Sequence, residues 1–119
     1  MNFNSDFRYD LKIGVEFETK LYELLGKTIE VKRDFKALNT GNIFIEYQSR
    51  GKLSGIATTQ AEYWCYWLSD FHLILIETEE LKKMCRIYLN TKRDVSGGDN
   101  NTSKGVLLPL TDFIKKLYI

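Results

Sequence analysis

The sequence predicts an α/β or α+β domain in which helices flank a central mixed β-sheet. Three observations carry this reading. Helical periodicity over 10–25 gives way to strict period-two alternation at 28–35. A second β-rich run at 42–49 is apolar on both parities, as in a strand covered on both faces. Helix and strand signals then alternate to the end with no internal repeat or linker.

Taken in order, Asp10 caps a helix running to about Leu25, with Phe17, Leu21, Leu24 and Leu25 on one side, and Gly26 stops it. Thr28-Ile-Glu-Val-Lys-Arg-Asp-Phe35 alternates apolar and charged residues and reads as a strand. Residues 36–41 read as a loop through which this strand pairs with the next as a hairpin. That next strand, Asn42-Ile-Phe-Ile-Glu-Tyr-Gln-Ser49, is interrupted only by Glu46 and Gln48. Gly51 and Gly55 punctuate a connection with room for one more strand at 53–57. Thr59 and Glu62 form a Thr-x-x-Glu capping box heading an aromatic helix through Leu68. Residues 71–77 form an apolar strand, and Thr78-Glu-Glu-Leu81 opens a further capped helix to about Leu89. Residues 90–104, rich in Gly, Asn, Asp and Ser, read as a long polar loop. A short strand at 105–110 and a last helical turn capped by Thr111-Asp112 complete the order.

At 119 residues the chain fits one domain, 1–119. Its 13% aromatic content and ample Leu, Ile and Val supply a core. No apolar run approaches the roughly 18 residues of a membrane span, and the Met-Asn-Phe-Asn-Ser start lacks signal-peptide features. The expectation is an intracellular protein, cytoplasmic or nucleoid-associated and not secreted, with no membrane partner. Cys65 and Cys85, each among apolar residues, read as buried thiols rather than a disulfide or zinc pair.

Chemistry concentrates at the polar interruptions of the first two strands. Period two places Glu46 and Gln48 on one face, and hairpin pairing brings Asp34 toward Glu46. Converging carboxylates repel unless a proton or cation lies between them. With no His or Cys nearby, oxygen ligands favour a hard cation, Mg²⁺ or Mn²⁺. An Asp at a strand end is commonly a turn former, whereas an unpaired Glu46 in a covered strand costs several kcal/mol. His72, alone in an apolar strand, reads as a structural hydrogen-bonding residue. Tyr63, Trp64, Tyr66 and Trp67 occupy more of their helix's circumference than one buried stripe requires; core packing is the plain reading, and a dimer interface and base stacking are the alternatives. The 97–101 loop lacks phosphate-cradle spacing, with Lys92, Arg93 and Lys104 at its base.

These residues resemble the PD-(D/E)XK nucleases, and among them the archaeal-type Holliday junction resolvases, over about residues 10–68. Gly14-x-x-x-Glu18 is similar to the family's first-helix motif, Asp34 to its strand Asp, and Glu46-x-Gln48-Ser49-Arg50 to the resolvases' Glu-x-Lys-Ser-Arg. Gln60-Ala61-Glu62 is similar to their Gln-Ala helix start. Arg33 stands where the family often has Pro, and Gln48 where it has the motif Lys. Glutamine orients water only through neutral hydrogen bonds, so Lys32 and Lys52 are the residues that would return charge to the site.

The resemblance implies a restriction-endonuclease-like fold and metal-assisted hydrolysis of DNA phosphodiesters. Asp34, Glu46 and the backbone carbonyl of Tyr47 would bind Mg²⁺ or Mn²⁺, with Glu18 rather than Glu16 as the helix acid. Gln48 would position water and Arg50 a phosphate. Branched DNA is the implied substrate and a homodimer the implied assembly. Restriction, homing or repair endonucleases, or an inactive nucleic-acid-binding module of the same fold, are the alternatives.

The formal charge of +1 argues against a polybasic binder. It conceals a local excess, since Lys27, Lys32, Arg33, Lys36, Arg50 and Lys52 face only Glu30, Asp34 and Glu46 in that segment. Of these bases, Lys32, Arg33, Lys36, Arg50 and Lys52 are the expected DNA contacts. With a divalent cation on Asp34 and Glu46 the segment would present a positive surface.

Overall fold

The computed structural model describes residues 3–115. Helix α1 (Phe3–Leu25) leads into strand β1 (Ile29–Arg33), the one-turn helix α2 (Ala37–Thr40) and strand β2 (Asn42–Ser49). Then come β3 (Lys52–Leu53), a 3₁₀ turn at Gly55–Ala57, β4 (Tyr63–Trp67), β5 (Leu73–Glu77) and α3 (Thr78–Tyr88). β6 (Asp94–Gly97), β7 (Ser103–Pro109) and α4 (Leu110–Lys115) close the order. The fold is mixed α/β, with a mixed sheet flanked by helices. Among the described residues no helix is long and apolar enough to cross a membrane.

The expected single central sheet is divided into two. One has the order β1-β4-β5, with β1 parallel and β5 antiparallel to β4. The other is antiparallel, with the order β3-β2-β7-β6. The expected β1–β2 hairpin does not form. Residues 36–41, expected as a loop, instead wind into α2, anchored by fully buried Ala37 and ended by Gly41 in the left-handed conformation (φ 74°). That turn redirects the chain, so β1 finds β4 and β2 finds β7.

The aromatic segment is likewise a strand and not a helix. The Thr59 hydroxyl accepts the Ala61 amide in a local turn (3.2 Å), and aromatic side chains favour the pleated backbone that follows. As the middle strand of its sheet, β4 is lined with large side chains on both faces, which removes the polar alternation that marks a half-exposed strand. Trp64 and Tyr66 point inward, 1% and 4% exposed, and their rings stack with centroids 5.9 Å apart. The expected Thr78 cap also differs. Glu77 occupies the N-cap position, while the Thr78 hydroxyl donates to the Ala61 carbonyl at 2.6 Å, tying α3 to the entry of β4.

Leu81, Met84, Cys85 and Tyr88 recur at helical spacing along α3. They meet Ile43, Ile45, Val106 and Leu108 from one sheet and Trp64, Tyr66, Ile74 and Ile76 from the other. One helix thereby joins both sheets in one core. Cys65 and Cys85 are free, buried thiols, as expected, and burial pushes the Cys85 thiol up to about 12. The expected loop at 90–104 contains β6, which pairs with β7. The Tyr47 hydroxyl donates to Asp94 Oδ1 (2.5 Å) and the Asn90 amide to Asp94 Oδ2 (2.9 Å), fixing the start of β6.

These bonds predict a pH signature. The Asn90 amide and the Tyr47 hydroxyl hold the Asp94 carboxyl below its usual value, while the bond to Asp94, then burial, pushes the Tyr47 hydroxyl up to about 12. The depressed acid contributes stability above the ordinary carboxylate pKa, lost as pH falls through its own lower value. The raised phenol contributes below its ordinary value of about 10, lost as pH rises toward about 12. In urea unfolding, the stability gap between the natural chain and Asp94→Asn should be full at neutral pH and close below about pH 4. A gap that stays constant into acid would exclude the carboxylate as its source.

Candidate functional site

A cleft of about 640 Å³ opens between the inner face of β1-β4 and the face of β2-β7 opposite α3. Lys32, Arg33, Asp34, Lys36, Phe44, Glu46, Trp64 and Tyr66 all line it. Asp34 and Glu46 therefore line one cavity, although their strands belong to different sheets.

Each carboxylate is oriented by its neighbours. Asp34 sits just past β1, where its own amide donates to the Trp67 carbonyl (3.0 Å). Its Oδ1 accepts the Lys36 amide at 2.9 Å and its Oδ2 the Phe44 amide at 3.1 Å. Asp34 is thus the link that holds β2 beside the end of β1 without a ladder. Glu46 Oε1 accepts the Ser103 hydroxyl at 2.7 Å, and Oε2 the Ser54 hydroxyl at 3.0 Å. Among the described residues no third Asp, Glu, His or Cys joins them in a cluster able to hold a metal ion.

The donor set still fits a hard divalent cation. Each carboxylate oxygen accepts one bond from the protein and retains a further lone-pair site. Two carboxylates with water completing the shell is a common Mg²⁺ arrangement. The Tyr47 carbonyl lies at a bulge where β2 slips against β7, and it accepts the Ser54 amide at 3.0 Å. Tyr47, expected as a ligand through its carbonyl, does not line the cleft; its carbonyl is engaged by Ser54 and its side chain lies on the α3 side with Ile45 and Cys85.

Lys32 and Lys36 bring positive charge to the cleft, Lys32 lying 5.9 Å from the Trp64 ring centre and 3.4 Å from Glu30. Arg33 sits at the rim, its guanidinium over the Phe35 ring and donating to the Asp34 and Trp67 carbonyls at 3.2 and 3.4 Å. Tyr66 was not among the nominated residues. Burial, then the nearby Cys85, Asp34, Glu30 and Glu46, pushes its phenol well above the ordinary tyrosine value, so it stays a hydrogen-bond donor at neutral pH.

The other nominated residues lie elsewhere. The slip at Tyr47 pairs Glu46 with Gly105 but Gln48 with Lys104, and adjacent residues of β7 point to opposite faces. Gln48 therefore leaves the face of Glu46 and does not line the cleft, contrary to the period-two expectation. Arg50 and Lys52 stand exposed at the β2–β3 hairpin, whose two-residue loop has Arg50 at φ 50° and Gly51 at φ 79°. Glu18 is exposed on α1 and outside the cleft. His72, also exposed, precedes β5 in a turn, its Nδ1 2.8 Å from the Ser69 hydroxyl, consistent with a structural role.

Two glycines, Gly55 in the cleft wall and Gly105 behind it, admit close backbone approaches that their sequence positions alone do not reveal. A Cβ on Gly105, opposite Glu46, would stand 2.6 Å from the Ile45 carbonyl oxygen. A Cβ on Gly55 would stand 2.3 Å from the Glu46 carbonyl oxygen, and Gly55 has φ +51°. Backbone on both sides cannot yield cheaply. Gly55→Ala should cost about 2–3 kcal/mol in chemical denaturation and displace Ser54 from Glu46. An unchanged midpoint would show that the approach relaxes freely.

No protein-family model, curated protein or solved structure matches this chain.

Proposed function

We propose that this domain is a divalent-cation-dependent endonuclease acting on DNA, built on a restriction-endonuclease-like scaffold. The observation that carries the reading is that Asp34 and Glu46 line one cleft together with Lys32 and Lys36. Asp34 and Glu46 would hold Mg²⁺ or Mn²⁺. A cation bound there supplies a water of lowered pKa and offsets charge developing on a phosphate. Ser54 and Ser103 keep the Glu46 carboxylate turned to the cleft, while Lys32 and Lys36 attract the phosphodiester backbone. The protonated Tyr66 phenol offers a hydrogen bond at the cleft wall. Gln48, Arg50, Lys52 and Glu18 have no assigned part in the chemistry.

The similarity of the Glu46-x-Gln48-Ser49-Arg50 segment to junction resolvases makes branched DNA the first substrate to test. Four-way junction, flap and linear DNA are incubated with Mg²⁺ or Mn²⁺ and with the natural chain or Asp34→Ala. Metal-dependent nicking by the natural chain alone, strongest on the junction, is the expected result. Equal cutting of all three by the natural chain would retain the nuclease and remove the structural selectivity. Binding without cutting by both proteins would favour a second reading, a nucleic-acid-binding module without turnover. That reading draws on the hydrogen bonds already engaging both carboxylates and on the position of Gln48.

A further inference from the structure

We propose that α1 is an exchanged arm, and that in a symmetric dimer the apolar side of each α1 lies across the outer face of the partner's β1-β4-β5 sheet. The inference does not depend on the nuclease reading. Two large apolar surfaces of this chain are left uncovered. On α1, Leu11, Val15, Phe17, Leu21, Tyr22 and Leu25 are each more than half exposed, and they share one broad side of the helix. Lys12, Glu16, Lys20 and Glu23 occupy the other. The outer face of the sheet consists of the rows Val31-Cys65-Leu75, Ile29-Tyr63-Glu77 and Arg33-Trp67-Leu73, fixed by strand register. None of these residues joins the core cluster; Val31 and Leu73 are 59% and 46% exposed, Ile29, Tyr63, Trp67 and Leu75 are half-buried, and only Cys65 is buried, between its larger neighbours. Parallel strands such as β1 and β4 are almost always covered on both faces.

Size and charge favour a second copy as the cover. At roughly 200 Å² per large side chain, half exposed, covering most of both helices and both sheet faces removes about 1,600 Å² from water, the size of a stable interface. The apolar side of α1 carries Glu18 near its middle and Asp10 toward its start, and the sheet face carries one base, Arg33, at one end of the rows and one acid, Glu77, at the other. Neither Glu18 nor Arg33 has an ion-pair partner among the described residues. The exit of α1 is also tied down, which disfavours folding back onto its own sheet. The Thr28 carbonyl accepts the Glu62 and Tyr63 amides, Lys27 pairs with Glu62 at 3.7 Å, and the Gly26 and Lys27 amides bond back into the helix. The molecule accordingly measures 61 Å along one axis against 27 Å along the others.

Sedimentation velocity on the full chain should give a dimer, with Glu18→Arg or Arg33→Glu raising the dissociation constant at least about tenfold and the two together restoring much of it. Leu21→Cys combined with Leu73→Cys, two changes at exposed positions, should on mild oxidation form a disulfide between residue 21 of one chain and residue 73 of the other. A monomer at all micromolar concentrations would overturn the proposal. So would an intrachain disulfide, which would place α1 on its own sheet, or a dimer insensitive to both charge reversals and giving no interchain disulfide.

Discussion

Glu46→Gln should abolish metal-dependent cleavage, lowering it by more than about 100-fold, while leaving the fold in place. The amide has the shape of the carboxylate, and the Ser54 and Ser103 hydroxyls that donate to Glu46 can accept from an amide instead. What is lost is the negative charge and the free lone pairs that a divalent cation needs. Asp34→Asn is the less clean companion. Its two oxygens accept the Lys36 and Phe44 amides, and an amide can satisfy only one, so about 1–3 kcal/mol of stability should go with the activity. Nicking rates paired with thermal unfolding separate the two effects. A folded Glu46→Gln protein that cuts DNA at the natural rate would remove this cleft as the reaction site.

Trp64→Ala should cost about 3–5 kcal/mol, the largest single loss of stability expected from the core. Trp64 is 1% exposed, stacks on Tyr66 and lies beneath Lys32, so its ring is both core and cleft wall. Its removal opens the space between the sheets into the 640 Å³ cleft, where the surrounding strands are held by their ladders and cannot collapse to fill it. Trp64→Phe should be much milder, under about 1.5 kcal/mol, because the indole N–H is buried without a hydrogen-bond partner and its loss offsets part of the lost volume. Urea titration checks both, with a lower midpoint and an unchanged slope for Trp64→Ala. A cost below about 1 kcal/mol would mean that this ring does not hold the sheets together.

Legibility followed the range of each signal. The alternation at 28–35 and the apolar stripe of 78–88 are local patterns, and both became the elements they imply. The segment 63–67 is a strand and not the expected helix because β4 carries large side chains on both of its faces, leaving no polar alternation to distinguish strand from helix. A Thr-x-x-Glu spelling then tipped the balance toward a helix that the chain does not form. Asp34 and Glu46 line one cleft, although the expected hairpin between their strands is absent. They share the cleft because Asp34 captures the Phe44 amide across the gap between sheets. Gln48 was assigned to the wrong face because one extra residue at Tyr47 inverts every side chain beyond it.

Taken alone, the amino-acid order determined β1, β2, β5 and most of α1 and α3, since each depends on neighbours within a few residues. The tertiary structure decided which strands pair, which face each side chain takes after the bulge, and which apolar surfaces remain uncovered. Those outcomes depend on competition among distant segments for the same ladder bonds and the same buried area, and a difference of a few kcal/mol between pairings leaves no mark in the local pattern.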